Sequence, residues 1–231
     1  MNFFVCGVSH QNCPVEIREK LCFSESKLRQ ALKILAGHGE FLESVILSTC
    51  NRVEWYGASE WEGDIRDRMK MLIEEIHPVP ADLFDDYLYC YQGEGAIRHL
   101  FRVASGLDSL VIGEDEILGQ VRESFRQAQQ AGTVHSLLHR LFQKALKIGK
   151  DVRTLTALNE GAVSVPSAAV ELAGQVFEKL SDKKVAVLGT GEMSSLTMKS
   201  LKRAGAEELS VISRSEVSGK KLAGAFHAAW R

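Results

Sequence analysis

Apolar residues gather into short runs or helical stripes along the first ninety positions, and their spacing predicts the elements. Residues 2–9, NFFVCGVS, form an apolar run broken by His10 and Pro14, the mark of a short buried strand. Ser24 to Lys27 opens a helix carrying Leu28, Leu32 and Leu35, with Gly37 and Gly39 as stops. Ser44–Leu47 (SVIL) is a strand that runs into Ser48-Thr49-Cys50-Asn51-Arg52, and Val53–Ala58 (VEWYGA) is the next. Residues 64–76 are helical through Ile65, Met69, Leu72, Ile73 and Ile76, and Pro78 and Pro80 end them. Tyr87–Tyr91 (YLYCY) is another strand. The order βαββαβ is the split arrangement of ferredoxin-like folds.

From Gly93 to Leu180 the strand signals vanish. Ile117, Val121, Phe125 and Ala128 lie at helical spacing behind the acidic start Glu114-Asp115-Glu116, which suits a helix N-terminus. Leu137, Leu138, Leu141, Phe142, Ala145 and Leu146 define another helix, and residues 168–180 a third. Residues 183–189, KKVAVLG, read as a buried strand entering a helix over 191–204, followed by a strand over 209–213. That is one βαβ unit, and the final GKKLAGAFHAAWR starts the next helix. The fold class is therefore α/β: an α+β ferredoxin-like domain with connecting helices over 1–160, then a Rossmann-type domain over 161–231.

Composition narrows the class. The 231 residues amount to about one and a half domains. At 45% hydrophobic and 25% charged the chain is globular, and no apolar run approaches the ~20 residues of a membrane helix. The start MNFFVCGVSHQ lacks a basic, then apolar, leader pattern, so the expected location is cytoplasmic. A net charge of −2 argues against a generic nucleic-acid binder. The 5 cysteines, at 6, 13, 22, 50 and 90, form no CxxC pair; reduced thiols are expected, with no disulfide framework and no metal site.

Two segments carry chemistry. In Ser48-Thr49-Cys50-Asn51-Arg52 a thiol stands at a strand end beside an arginine, whose guanidinium is expected to lower its pKa and favour the thiolate. A lone cysteine there is most often a small apolar filler. Thr, Asn and Arg rarely crowd a filler. In Gly189-Thr190-Gly191-Glu192-Met193-Ser194 a glycine-rich turn follows a strand and opens a helix, the context in which a pyrophosphate meets a helix N-terminus. The third glycine of the fingerprint is replaced by the small Ser194. At the next strand end, where NAD sites usually carry an acid, Ser213 and Arg214 offer a hydroxyl and a cation to a 2′-phosphate, which favours NADPH.

The run Gly7-Val8-Ser9-His10 with Pro14-Val15-Glu16-Ile17-Arg18-Glu19 closely resembles the N-terminal signature of the glutamyl-tRNA reductases. So do residues 48–54 (STCNRVE), 105–114 (SGLDSLVIGE), 117–121 (ILGQV), 162–165 (AVSV) and 189–193 (GTGEM), which together span essentially the whole chain. The resemblance implies NADPH-dependent reduction of glutamyl-tRNA to glutamate-1-semialdehyde, the first step of five-carbon tetrapyrrole synthesis. Cys50 matches the family's nucleophile, which forms a thioester, and His99 matches a histidine needed for activity. Thr49, Asn51, Arg52, Ser109, Glu114, Asp115, Glu116 and Gln120 match substrate-contacting positions, Arg52 as partner of the substrate's side-chain carboxylate. It also implies a homodimer and product transfer to glutamate-1-semialdehyde aminomutase.

Seven basic residues, Arg122, Arg126, Arg140, Lys144, Lys147, Lys150 and Arg153, face only Glu123 and Asp151 in the same stretch, a patch for tRNA phosphates or simply a solvated face. Two other readings stay open: a thiol-dependent aldehyde or acyl dehydrogenase on a free substrate, and a non-enzymatic shortened paralogue that binds charged tRNA. The last 70 or so residues hold two strands of a nucleotide domain where roughly six are expected, and the family's dimerisation domain is missing, so a shortened form is expected.

Overall fold

The computed structural model describes residues 2–61, 63–114, 116–159 and 164–231. They form two compact units, Met1–Leu158 and Asn159–Arg231.

The first unit runs β1 (Asn2–Ser9), α1 (Val15–Leu21), α2 (Glu25–Gly37), β2 (Phe41–Ser48), β3 (Arg52–Ser59), α3 (Ile65–Ile76) and β4 (Tyr89–Gln92). Then come α4 (Gly93–Ala104), α5 (Glu116–Ala131) and α6 (Ser136–Leu155). The sheet order is β2-β3-β1-β4 with every neighbour antiparallel, as the βαββαβ reading requires. Helix α1 was not expected: Pro14 reads as a break, yet its fixed φ precedes the first helical residue and leaves no N–H to satisfy. Strand β4 starts two residues later than expected, because residues 85–87 close a 3₁₀ turn first.

All eight residues of β3 are buried. Both faces of the sheet are covered, so its pattern is continuous rather than alternating. Arg52, Glu54 and Tyr56 share one face, where Tyr56 meets Phe142 of α6 edge-on at 5.5 Å. Trp55, on the other face, packs against Phe23 and His77. Buried Glu43 of β2 caps α6: its carboxylate accepts from the N–H groups of His135, Leu137 and Leu138 at 2.8, 2.9 and 2.9 Å. That tie fixes the helical layer on the sheet through the otherwise unsatisfied first turn of a helix.

The expectation of five reduced thiols needs correction. Cys6 and Cys90 face each other across β1 and β4 in register and are joined as a disulfide. Sequence spacing could not show this, because two cysteines at a separation of 84 positions are brought together only by the fold. Cys13, Cys22 and Cys50 are free.

His77 is fully buried, and burial first, then Lys27, push its pKa down to about 4. It is therefore neutral in the folded chain and gains a proton at about 6.5 when unfolded. The unfolded chain binds the extra proton between those values, so stability falls as pH drops from about 6.5 to 4, by roughly 2–3 kcal/mol. Urea midpoints measured across that window should show the loss, and His77→Gln should flatten it. An unchanged slope in His77→Gln would refute the assignment.

The second unit runs α7 (Val165–Phe177), β5 (Lys184–Leu188), α8 (Glu192–Arg203), β6 (Glu208–Ile212), α9 (Glu216–Ala225) and β7 (Ala229–Trp230). Its sheet is parallel, in the order β5-β6-β7. Helix α7 begins three residues before the expected 168, because Ser164 and Ser167 cap it reciprocally and Pro166 suits its first turn. The helix expected to start in the final segment is present but does not run through it. α9 stops at Ala225, His227 takes φ +51, and the chain turns into a third strand.

Candidate active site

A tight hairpin joins β2 to β3. The Thr49 N–H donates to the Arg52 carbonyl at 2.8 Å, and the Thr49 hydroxyl accepts from the N–H groups of Asn51 and Arg52, each at 3.1 Å. These bonds satisfy the turn from within and leave Cys50 exposed at its tip. The Asn51 carbonyl accepts from His10 N–H at 2.8 Å, tying the tip to the end of β1. Buried Arg18 of α1 supports the turn, donating from Nε to the Cys50 carbonyl at 3.0 Å and from Nη1 to the Cys13 carbonyl at 2.6 Å.

The expectation of a thiol acidified by Arg52 is not met. Lost solvation pushes the Cys50 thiol up, and Glu114 and Glu116 add to that, against its own backbone N–H and Arg18. Arg52 is directed elsewhere, and the cation acting on Cys50, Arg18, spends its N–H groups on carbonyls. The thiol therefore rests protonated at neutral pH and must lose its proton as it attacks.

Arg52, 2% exposed, donates from Nη1 to Glu54 at 2.7 Å and from Nη2 to the Asp108 carbonyl at 2.6 Å. Glu54 is the hub of the site. Besides Arg52 it accepts from the Tyr56 and Tyr89 hydroxyls, each at 2.5 Å, and from His99 Nε2 at 2.8 Å. Burial alone would raise its carboxyl, but Arg52, His99 and Tyr56 outweigh burial and hold it well below the usual carboxylate range. Burial, then Glu54, push the Tyr56 and Tyr89 phenols well up, so both stay as donors. An ionised carboxylate only accepts, so His99 Nε2 carries its hydrogen, and Nδ1 faces Asp108 at 3.7 Å. Gly7 makes this crossing possible, standing between Glu54 and Tyr89 in register. A Cβ there would lie 2.6 Å from the Val53 oxygen and 2.8 Å from Glu54 Cγ.

Arg52, Tyr89, His99 and Asp108 floor a cleft of 460 Å³ walled by Ser9, Gln11, Asn12, Tyr91, Arg98 and Arg102. Arg52 and His99 thus share this cleft, whose lining does not include Cys50, while Glu114 and Glu116 act on Cys50 through their charge. His99 bonds to Glu54 and Asp108 rather than to Cys50. Ser109, next to Asp108, is buried with an Oγ that has no partner among the described residues. Glu114 is buried, Glu116 opens α5, and Gln120 follows one turn later, both half-buried. Asp115 lies outside the described residues.

Sequence reading gave no role to Glu54, Asp108, Tyr89 or Arg18. One signal was there. Arg52, Glu54 and Tyr56 alternate along a single strand, so three polar groups share a buried face.

In the second unit, Gly189 takes φ +99 and its N–H donates to the Ile212 carbonyl at 2.8 Å, so the turn crosses the ends of β5 and β6. Gly191 caps α8 with open space where a side chain would stand. A cleft here is lined by Gly189, Thr190, Ser213 and Arg214, and Arg214 is exposed with no salt bridge among the described residues. An open turn, a bare helix N-terminus and an available cation fit a dinucleotide phosphate. Ser194 Oγ turns back to the Leu188 carbonyl at 3.5 Å, Met193 is 41% exposed, and Glu192 is the first residue of α8.

The basic stretch is thinner than its sequence suggests. Arg153 is directed inward to the carbonyls of Ala104, Gly149 and Glu114, and Arg126 pairs with Glu123. Arg122, Arg140, Lys144, Lys147 and Lys150 are exposed. Among the described residues no group of His, Cys, Asp or Glu could hold a metal ion, and no helix is long and apolar enough to cross a membrane.

A thiol at a hairpin tip, a buried acid–base network beside it and a dinucleotide-type turn define a class: α/β proteins pairing a thiol site with a nucleotide domain. Residues 6–156 match the family described as glutamyl-tRNAGlu reductase, N-terminal domain, and residues 171–230 match shikimate / quinate 5-dehydrogenase. The chain belongs to the glutamyl-tRNA reductase family. It is 42% identical over 226 residues to a glutamyl-tRNA reductase of Pelobacter propionicus, covering 98% of this chain and 52% of that protein. A Microcystis aeruginosa relative of the same name is 43% identical over 227 residues, covering 98% and 53%. The solved glutamyl-tRNA reductase from Methanopyrus kandleri superposes with a TM-score of 0.66 at 36% identity, over 99% of this chain and 53% of that one. The chain spans about half the length of the curated relatives it matches. The reductase family and the dehydrogenase match imply a nicotinamide cofactor.

Proposed function

We propose that this chain takes glutamate from glutamyl-tRNA as a thioester on Cys50, the acyl-transfer half of a reduction that yields glutamate-1-semialdehyde for tetrapyrrole synthesis. The observation that supports it most is the hairpin, which exposes one thiol beside the Arg52–Glu54–His99 network.

Cys50 Sγ attacks the ester carbonyl and its proton passes to a carboxylate, Glu114 or Glu116, which returns it to the tRNA oxygen as the ester C–O bond breaks and the tRNA leaves as its hydroxyl. Asn51 and Thr49 hold the turn that aims the thiol. Arg52, buried and pinned by Glu54, offers its cleft-facing edge to the substrate's side-chain carboxylate. Ser109, Glu116 and Gln120 take the remaining substrate contacts, Glu116 and Gln120 toward its α-amino group. His99, anchored through Nε2 by Glu54, is read as a proton donor on the cleft side and not as the base that takes the Cys50 proton. When bound, NADPH supplies the hydride that reduces the thioester. Gly189, Thr190, Gly191, Glu192, Met193 and Ser194 would hold its pyrophosphate, and Ser213 and Arg214 its 2′-phosphate, which sets NADPH above NADH. The split of domains into 1–160 for charged tRNA and 161–231 for the nucleotide follows the same reading. Homodimerisation, transfer to glutamate-1-semialdehyde aminomutase and a cytoplasmic location rest on the family resemblance.

Without dinucleotide the thioester has only water as acceptor, so the chain should act as a slow esterase. Glutamyl-tRNA incubated with it should release free glutamate faster than the uncatalysed rate. A tRNA that stays charged as long as the buffer control would count against the proposal.

A further inference from the structure

The outer half of the cleft beside His99 holds groups that a glutamyl side chain does not require. Tyr91, on the edge strand β4, is 44% exposed and stacks on Tyr89, with centroids 5.4 Å and planes 29° apart. Tyr89 is pinned by its hydroxyl to Glu54, and His99 lies 5.2 Å from the Tyr91 ring. Tyr91 is therefore backed by two immobilised rings while nearly half its surface meets solvent. Gly95 on α4 adds no side chain to that wall; a Cβ there would stand 3.8 Å from Tyr91 Cβ. One turn beyond, Arg98 pairs, among the described residues, only with the exposed Glu94, an ion pair that is cheaply exchanged for a phosphate.

A supported aromatic face, a cation within reach and open space between them are what the unstacked end of a nucleic acid needs: the base stacks and the phosphate meets a guanidinium. We propose that this outer half seats the 3′-terminal adenosine of the charged tRNA, with its purine on Tyr91 and its phosphate on Arg98. The proposal rests on the glutamyl-tRNA reading above. The acyl group then points from the ribose toward the floor, where Arg52 and His99 stand. The adenine of a dinucleotide offers the same chemistry, so acyl transfer is followed without one and NADPH enters only as a competitor.

Acyl transfer to Cys50 is followed from glutamyl-tRNA and from the α-thiobenzyl ester of glutamate, which carries no nucleoside. Tyr91→Ala should raise KM for glutamyl-tRNA about tenfold more than it raises KM for the thiobenzyl ester. Tyr91→Phe should restore KM, and AMP should compete with glutamyl-tRNA in the wild type. An unchanged KM, or an equal loss on the thiobenzyl ester, overturns the proposal; so does competition by NADPH without competition by AMP. Should neither substrate label Cys50 in the wild type, the functional reading fails on its own. Tyr91-dependent binding of AMP, read by NMR shifts, then still decides the seat: its presence supports the proposal and its absence overturns it.

Discussion

Glu54→Ala is expected to cost the first unit about 3–5 kcal/mol, because it leaves the Arg52 guanidinium buried without its counter-charge. Arg52 is 2% exposed and would keep only the Asp108 carbonyl, while Tyr56 and Tyr89 would lose the acceptor for their hydroxyls. His99 would lose its anchor at Nε2 and be free to turn. Such a loss is a large share of the 5–15 kcal/mol that typically separates folded from unfolded. The urea midpoint should fall accordingly, and acyl transfer should fall with it. Glu54→Gln keeps the shape and part of the hydrogen bonding, so it should unfold later than the alanine variant. A Glu54→Ala chain within 1 kcal/mol of wild type would show that the network contributes no stability.

Cys50→Ser should abolish acyl transfer while leaving stability nearly unchanged, since Cys50 is exposed at a turn held by Thr49 and Arg18. A serine hydroxyl is a far weaker nucleophile, and an oxygen ester formed there would gain nothing over the ester consumed. Loss of a covalent nucleophile costs on the order of 10⁴-fold or more. The environment of the thiol makes a sharper claim. Lost solvation first, then Glu114 and Glu116, hold the proton on Cys50, so alkylation by iodoacetamide should keep rising with pH beyond the range of an ordinary thiol. Glu114→Gln should move that profile to lower pH. A profile already flat at neutral pH would mean the thiol is acidified after all.

Much of this was legible in the chain. The βαββαβ order followed from apolar spacing because each of those elements has a clear period and a clear stop, such as Gly37 after α2. Helix α1 and strand β7 were not, because Pro14 and the Ala-rich end give local signals that tertiary packing overrides. In the site, Cys50 stood out by its polar neighbours, whereas the direction of its pKa did not. Cys50 lies in the turn, outside the alternation of the strands, whereas Arg52 and Glu54 are two apart on β3 and share a face, so the arginine serves Glu54 and the charges acting on the thiol come from Arg18, Glu114 and Glu116. The Cys6–Cys90 pair and the reach of Tyr89 to Glu54 depend on strand order, which no local window contains.

The central claim is covalent, and intact-protein mass spectrometry reads it directly. Mixed with glutamyl-tRNA without dinucleotide and quenched in acid, the chain should gain the mass of one glutamyl group. Digestion should place that mass on the peptide carrying Cys50, and Cys50→Ser should show none. An unmodified wild-type chain, or an adduct that persists in Cys50→Ser, would contradict the account.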